Sequence, residues 1–553
     1  MAAESSAPVP PKPSMSPFLR ALLGLLLLLP ACGLCSVNLV GTTADTILAG
    51  FQANPLSNDT PEFVGMENFE SLFDIRNFGA AVEFTGQLIL VRLLVAAVIP
   101  LLLSIGVYQL GKRSRLAIRL LFTLPMAFFA PALVAFASRR MLWMWDRDST
   151  EMTVLLVEAL VMLIVSCAAG LLVYSAVLRR RADDGKGWTS TLPALIAVWL
   201  IGQFAVLAYT LQTFSPLGFF FRSDAITFSQ FAFETTRVFT LQLGFAASVI
   251  VFLPVAVLGV LATLTLILFR LQLGYVPPVE DANRPGNKVL GILGWLMTLP
   301  GAISVIFILF VPYLVSLLGA ASWAGEGSTR SVSMMQIWLN TTLPPLLAIL
   351  FIQLPFAYLG ALGIGVVRPF GRWSDALLLL FAPWLFATSM PFALQRTIAL
   401  SNADALDSFS ALVPPLLISV PMLVILTLFF KGHAPAWRQA LAEGTPAARA
   451  FFTKLFIPSL PLAGFLAALS FMAMAQDLIY SLLTGVRPEQ FTAAGAILRF
   501  AGVNLLGSEK VIAAVGLPLF LIFSAIFIAL RIRYLDRLTL GRESSVTGQV
   551  KPE

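Results

Sequence analysis

Long apolar segments alternate with short polar segments along almost the whole chain. Each apolar segment has about 20–30 residues, enough for a helix to cross a ~30 Å hydrocarbon core. The apolar residues are consecutive rather than alternating, which predicts helices and not the strands of a transmembrane barrel. We predict about twelve membrane-spanning helices, near residues 17–40, 84–110, 117–138, 152–177, 191–212 and 244–270, then 289–318, 338–364, 374–395, 407–430, 457–476 and 511–534.

The composition supports this interpretation. Hydrophobic residues make up 58% of the chain and charged residues 12%, against about 25% charged residues in a soluble domain. The net charge of +7 does not indicate a nucleic-acid partner, because the cations lie in short clusters between the apolar segments. If the N-terminus is cytoplasmic, about 24 of the 36 Lys and Arg residues lie inside. We therefore predict an all-α integral protein of the lipid bilayer with both termini in the cytoplasm.

Three sequence markers recur in the same order in the two halves of the chain, at separations of 256 to 267 residues. This recurrence indicates two repeats of about six helices each, and an even number of spans makes such repeats parallel. We predict a first half at 1–272, a cytoplasmic linker at 273–288 and a second half at 289–553. The markers are Thr85 with Thr341, Asp184-Gly185 with Glu443-Gly444, and Ala246-Ala247 with Ala513-Ala514.

Few residues suggest enzyme chemistry. The single histidine, His433, falls in a predicted cytoplasmic loop, and the sequence has no P-loop, nucleophile elbow or metal-binding cluster. We predict no catalytic residue, metal or cofactor. Cys32 and Cys35 have redox-motif spacing, but within an apolar segment they are predicted to be small packing residues. The residues before Cys32 also resemble a lipoprotein cleavage box, although the apolar segment continues to Val40 and favours an uncleaved span.

Two stretches of the first half carry a family resemblance. Residues 63–90 read FVGMENFESLFDIRNFGAAVEFTGQLIL, and residues 111–136 read GKRSRLAIRLLFTLPMAFFAPALVAF. They resemble the membrane subunits of maltose-type, binding-protein-dependent ABC importers of bacteria. The second half, from IWLNTTLPPLLAILFIQLPFAYLGAL at 337–362 to the tail IRYLDRLTLGRESSVTG at 532–548, resembles the partner subunit.

The resemblance implies both permease subunits fused in one chain in the bacterial inner membrane. Two separate ATP-binding-cassette ATPase subunits would drive transport, and an extracytoplasmic solute-binding protein would deliver a sugar or a related solute. Other possibilities are an ion-driven secondary carrier, a degenerate permease that no longer transports and, least favoured, a membrane-embedded enzyme.

In that family, the loop between the fourth and fifth spans carries a Glu-Ala-Ala-x-x-Asp-Gly motif that docks on the ATPase. The second loop of this chain keeps Ala440, Glu443 and Gly444, while Arg438 stands at the position of the family's glutamate. The resemblance therefore implies an ATPase-coupling role for this loop, with an ordinary basic turn as the alternative.

The first loop matches the motif less well. It keeps Asp184 and Gly185, but Arg179–Arg181 occupy the Glu-Ala-Ala positions. A coupling role and an ordinary basic turn are equally consistent with this pattern.

Polar residues within the predicted spans are candidates for the transport pathway, because ionisable groups are costly in lipid. Arg92 and Glu158 either line the pathway, pair inside the bundle or extend to the outer interface. Gln203, Tyr209 and Gln212 recur along the fifth span and either bind solute or make polar contacts between helices.

Overall fold

A computed structural model of the chain describes residues 16–53, 62–128, 150–184, 188–214, 225–238, 241–275, 286–311, 313–314, 317–318, 333–485, 487–503 and 509–543. Almost all of the secondary structure in these residues is helical. Ten helical segments among them are long and apolar enough to cross a membrane, which confirms an all-α, multi-pass architecture. The ten segments are Pro17–Gly50, Phe78–Tyr108, Val154–Arg180, Thr191–Leu211, Leu241–Leu268, Lys288–Phe310, Met334–Val367, Val420–Ala442, Ala447–Ala475 and Glu509–Arg537.

We number the α-helices in chain order. In the first half they are α1 (Pro17–Cys35), α2 (Thr42–Gly50), α3 (Glu67–Phe73), α4 (Phe78–Tyr108), α5 (Lys112–Leu121), α6 (Thr150–Asp184), α7 (Trp188–Leu211), α8 (Phe228–Val238) and α9 (Leu241–Leu268). In the second half they are α10 (Lys288–Ser304), α11 (Met334–Ala348), α12 (Leu354–Leu362), α13 (Met390–Asn402), α14 (Val420–Ala442), α15 (Ala447–Phe451), α16 (Ile457–Ala475), α17 (Leu478–Thr484), α18 (Ala493–Val503) and α19 (Leu517–Arg533).

Several spans contain a π-helical stretch within or at the end of the helix. One extra residue per turn shifts the face that the rest of the helix presents to its neighbours. The π-helical stretches are Ser36–Gly41, Val305–Phe310, Ile349–Gln353, Gly363–Val367, Phe452–Phe456 and Ile512–Gly516.

The ninth predicted span, 374–395, is not a continuous α-helix. The chain forms 3₁₀-helices at Gly371–Leu380 and Ala382–Trp384, and an α-helix begins only at α13. Pro383 and Pro391 remove backbone donors, and each disfavours helical geometry in the residue before it. The third predicted span, 117–138, begins as α5 and a 3₁₀ turn up to residue 127, and its part beyond residue 128 lies outside the described residues.

The tenth predicted span is displaced along the chain. We predicted 407–430, but α14 runs from Val420 to Ala442. Pro414 and Pro415 prevent an earlier start, whereas Pro421 suits the first turn of a helix. His433 therefore lies within α14 and not in a loop. Its ring stacks on Phe429 at 3.9 Å between ring centroids.

In the described part of the chain, four strands form two small antiparallel sheets. One sheet pairs β1 (Gln52–Ala53) with β2 (Glu62–Phe63), and Asn68 of α3 donates hydrogen bonds to the carbonyls of Gly50 and Gln52 beside it. The other pairs β3 (Leu271–Tyr275) with β4 (Leu538–Arg542), and we call it the ribbon. Residues 273–275 of the predicted linker 273–288 thus belong to β3, and residues 276–285 lie outside the described part of the chain.

The ribbon joins the ends of the two halves. Its register pairs Leu271 with Arg542 and Tyr275 with Leu538, and places Leu273 opposite Leu540 at the centre. We call this end of the molecule the ribbon side. Helix α1 also begins on the ribbon side. Arg20 of α1 donates a 2.7 Å hydrogen bond to the carbonyl of Val367, and the next residue, Arg368, forms an ion pair with Glu543 just after β4.

Two close helix contacts also join the halves. A Cβ atom added to Gly106 of α4 would clash with the backbone of Gly294 in α10. A Cβ atom added to Gly363 would lie 2.6 Å from the carbonyl oxygen of Gly24 in α1. The small residues let these backbones approach closely, as in other membrane bundles.

Candidate functional site

A cavity of about 610 Å³ lies between the two halves of the chain. Helices α4, α6, α7 and α9 of the first half and α14 and α16 of the second half contribute side chains to it. The leucines of the ribbon line the end of the cavity that faces the ribbon side. Its volume is within the ~300–1,000 Å³ of ligand-binding pockets, so it is the leading candidate for a solute site.

Most of the cavity lining is apolar. Among the described lining residues, polar side chains come from Ser166, Tyr174, Gln203 and Tyr209, and none carries a charge. Ser166 uses its hydroxyl to bond the carbonyl of Leu163 at 3.2 Å. Gln203 and Tyr209, two of the predicted pathway residues, thus supply the accessible polar groups.

Arg92 and Glu158 form a buried ion pair beside one end of the cavity. Their side chains are 1% and 7% exposed, and Arg92 Nη2 lies 2.5 Å from Glu158 Oε2. Arg92 also donates to the hydroxyl of Thr213 at 2.7 Å, and its guanidinium lies 5.4 Å from the ring centre of Tyr209. The pair packs α4, α6 and α7 together and does not line the cavity.

Gln212, the remaining predicted pathway residue, joins the halves outside the cavity. Its side-chain amide donates to the carbonyls of Ala208 and Phe386, and its oxygen accepts hydrogen bonds from the amide and hydroxyl of Thr388. These bonds fix the end of α7 to the segment that precedes α13.

The ribbon forms the floor of the cavity. Leu271, Leu273, Leu538 and Leu540 stand on one face, as the two-residue period of a strand requires, and all four line the cavity. The supporting helices are exchanged between the halves, since α6 packs against β4 and α14 packs against β3. A Cβ atom at Gly432 of α14 would lie close enough to the carbonyl oxygen of Leu273 to clash with it.

A cluster of three arginines surrounds Asp536, next to the ribbon. The carboxylate of Asp536 lies 2.9 Å from Arg531 Nε and 3.2 Å from Arg119 Nη1, with Arg179 Nη1 at 3.9 Å. Arg179 also donates to the carbonyl of Leu538 in β4. Two of the arginines belong to the first half, so the cluster ties the second half's end to α5 and α6.

A second charged cluster lies at the other end of the ribbon. Lys431 Nζ is 2.5 Å from Asp375 and 3.4 Å from Glu543, and Arg368 is 2.9 Å from Glu543. Burial raises the pKa of Glu543, but the hydrogen bond from Arg368 and the charge of Lys431 outweigh it and hold this pKa below its usual value. The amide of Glu543 also donates to the carbonyl of Arg270, which closes the ribbon.

The second candidate coupling loop is an exposed turn between α14 and α15. Gly444 ends α14 with a φ of +85°, a left-handed conformation that favours glycine. Thr445 donates its amide to the carbonyl of Ala440, as in a Schellman cap. Ala440 is buried, whereas the side chains of Arg438 and Glu443 are exposed and available to a partner.

The first candidate coupling loop lies at the end of α6. Asp184 is the last residue of that helix, and its side chain and Gly185 lie outside the described part of the structure. Arg179, which precedes this loop in α6, contacts Asp536 and β4.

Sequence reasoning missed the ribbon, although a signal for it exists. Residues 270–274 read RLQLG and residues 537–541 read RLTLG, 267 residues apart. That separation equals the one between Ala246 and Ala513. We used the second stretch only as part of the tail, because five residues are too short to stand out by hydropathy.

Within the described residues, no group of His, Cys, Asp and Glu side chains could hold a metal ion. Comparison with protein-family models, with curated proteins and with solved structures finds no match to this chain.

Proposed function

We propose that this chain contributes both halves of the membrane-spanning permease of an ATP-driven importer, and that these halves rock about a central solute site. The observation that carries the proposal is the cavity between the halves, whose floor is a ribbon with one strand from each half. A pathway at the interface of two such units is the arrangement that alternating access requires.

The proposal includes an origin of the halves as repeats, and several pairs of equivalent contacts support it. Thr85 accepts a hydrogen bond of 2.8 Å from the amide of Phe228, the first residue of α8. Thr341 accepts one of 2.8 Å from the amide of Ala493, the first residue of α18. The first span of each half packs against the second span of the other half: α1 packs against α12, and α10 packs against α4. The ribbon register is likewise unchanged when β3 and β4 are exchanged.

The ribbon side is cytoplasmic in this proposal, which agrees with the distribution of the cations. Helix α14 continues past the ribbon for the twelve residues from Lys431 to Ala442, about 18 Å at 1.5 Å per residue. The exposed turn at its end is therefore placed to receive an ATPase. Because α14 also packs against β3 of the first half, one docked loop would move both halves. ATP-driven motion would part the ribbon and open the floor.

The experiment is reconstitution with a candidate ATPase and a candidate solute-binding protein. We expect an ATPase to co-purify and ATP to drive uptake into vesicles. Glu443→Arg should remove both, whereas Glu489→Arg, at an exposed position in the loop before α18, should leave both unchanged. Wild-type chain without any bound ATPase, and without ATP-driven uptake, would contradict the proposal. Uptake that is stopped by an uncoupler instead of ATP depletion would identify an ion-driven carrier.

A further inference from the structure

We propose that the cavity accepts an elongated, uncharged and largely apolar solute with one or two hydrogen-bonding groups, and that it does not accept a sugar. This inference rests on the proposed function, because it assigns the cavity to the transport pathway. It replaces the sugar that the family resemblance implies with a different class of solute.

The first argument is the small number of polar partners. A sugar carries several hydroxyl groups, and each one that leaves water without a partner lowers affinity by about tenfold or more. Among the described lining residues, Gln203 and Tyr209 have accessible polar groups, Ser166 already bonds a carbonyl and Tyr174 is almost fully buried. Two polar side chains match one or two groups of a solute, not a ring of hydroxyls.

The second argument is charge. No described residue that lines the cavity is charged. The nearest ion pair, between Arg92 and Glu158, is internally neutralised and buried at 1% and 7% exposure. Neither an anionic nor a cationic solute would find an opposite charge, so the solute is uncharged.

The third argument is shape. Lining residues on α6 extend from Met162 to Ala176, and those on α7 from Val198 to Tyr209. At 1.5 Å per residue these stretches are about 21 Å and 17 Å long. The polar group of the solute would lie towards Tyr209, and its apolar part would reach the leucines of the ribbon.

The experiment compares two photoreactive probes on the full chain in nanodiscs. One is dodecanol with a diazirine in its chain, and the other is maltose with the same diazirine. The test variant is Gly202→Leu, because Gly202 lines the cavity and a Cβ atom there has no neighbour within 4 Å. The matched control is Gly464→Leu, at an exposed glycine of α16 that also has no neighbour within 4 Å and does not line the cavity.

We expect the dodecanol probe to label peptides of α6 and α7. The yield should fall at least fivefold in Gly202→Leu and stay unchanged in Gly464→Leu, with maltose unable to compete. Labelling by the maltose probe that Gly202→Leu abolishes would overturn the inference. So would equal dodecanol labelling of both variants, or a stoichiometric phospholipid lost only from Gly202→Leu. The labelling test uses no ATPase, so its result does not depend on whether the chain is an ATP-driven permease. In a separate uptake assay, ATP-driven uptake of a sugar would refute this inference while leaving the proposed function intact.

Discussion

Removal of the charge on Asp536 tests the contribution of the arginine cluster beside the ribbon. Its carboxylate contacts Arg531 at 2.9 Å and Arg119 at 3.2 Å. At an effective dielectric constant of ~20, each contact of this length gives roughly 5 kcal/mol of attraction before desolvation. Loss of one partner from a buried pair costs ~3–5 kcal/mol, and this carboxylate is 16% exposed. We therefore expect Asp536→Asn to lower the free energy of unfolding by about 3 kcal/mol.

The matched control is the same substitution in an exposed ion pair. Asp407 lies 2.8 Å from Arg487, but the two side chains are 48% and 65% exposed. Such pairs contribute about 0–1 kcal/mol, so Asp407→Asn should have little effect. Unfolding would be followed by tryptophan fluorescence during SDS titration in mixed micelles. Equal losses in the two variants would refute the claim that the cluster holds the halves together.

Three further predictions concern other contacts. Gly432→Ala would force the helix off the strand beneath it and cost about 1–3 kcal/mol, whereas Gly464→Ala, with open space around it, should cost nothing in the same titration. Burial raises the pKa of Asp477 to about 6, against hydrogen bonds that lower it. Because the unfolded value is about 3.9, stability should fall by up to about 3 kcal/mol as pH rises from about 3 to about 7. Asp477→Asn should remove that dependence in unfolding measured across this pH range, and a persisting dependence would assign it elsewhere. Thr85→Val and Thr341→Val should each cost about 1–3 kcal/mol by leaving a buried amide without an acceptor, and a loss in only one half would argue against equivalent roles.

Within the described residues, hydropathy predicted an apolar segment for each of the ten candidate spans, because a long apolar segment has few alternatives to a helix in lipid. It failed at 374–395, where proline changes the backbone hydrogen bonding without lowering the apolar content. It also displaced α14, whose polar end continues as helix beyond the apolar residues. Composition alone does not report where a helix ends.

The site was only partly predictable from sequence. Pairing of Arg92 with Glu158 was one of three possibilities. The two residues are 66 positions apart in the sequence, so the choice depends on how closely α4 and α6 pack in the folded chain. Gln203 and Tyr209 line the cavity because of the way α7 is rotated about its own axis. A nearly uniform apolar sequence does not indicate which face of a helix is turned towards a cavity. The apolar character of the lining appears only when residues from both halves are brought together.

The ribbon also affects how the protein is made. Strand β3 is synthesised 267 residues before its partner β4, which is about 13–50 s at typical elongation rates. During that time its backbone groups have no strand to pair with, and such an open edge is prone to wrong pairing. The arginines of α5 and α6 must likewise wait for Asp536. The ribbon and the Asp536 cluster can therefore form only after β4 has been synthesised. A chain that ends before Asp536 lacks both the floor of the cavity and these contacts between the two halves.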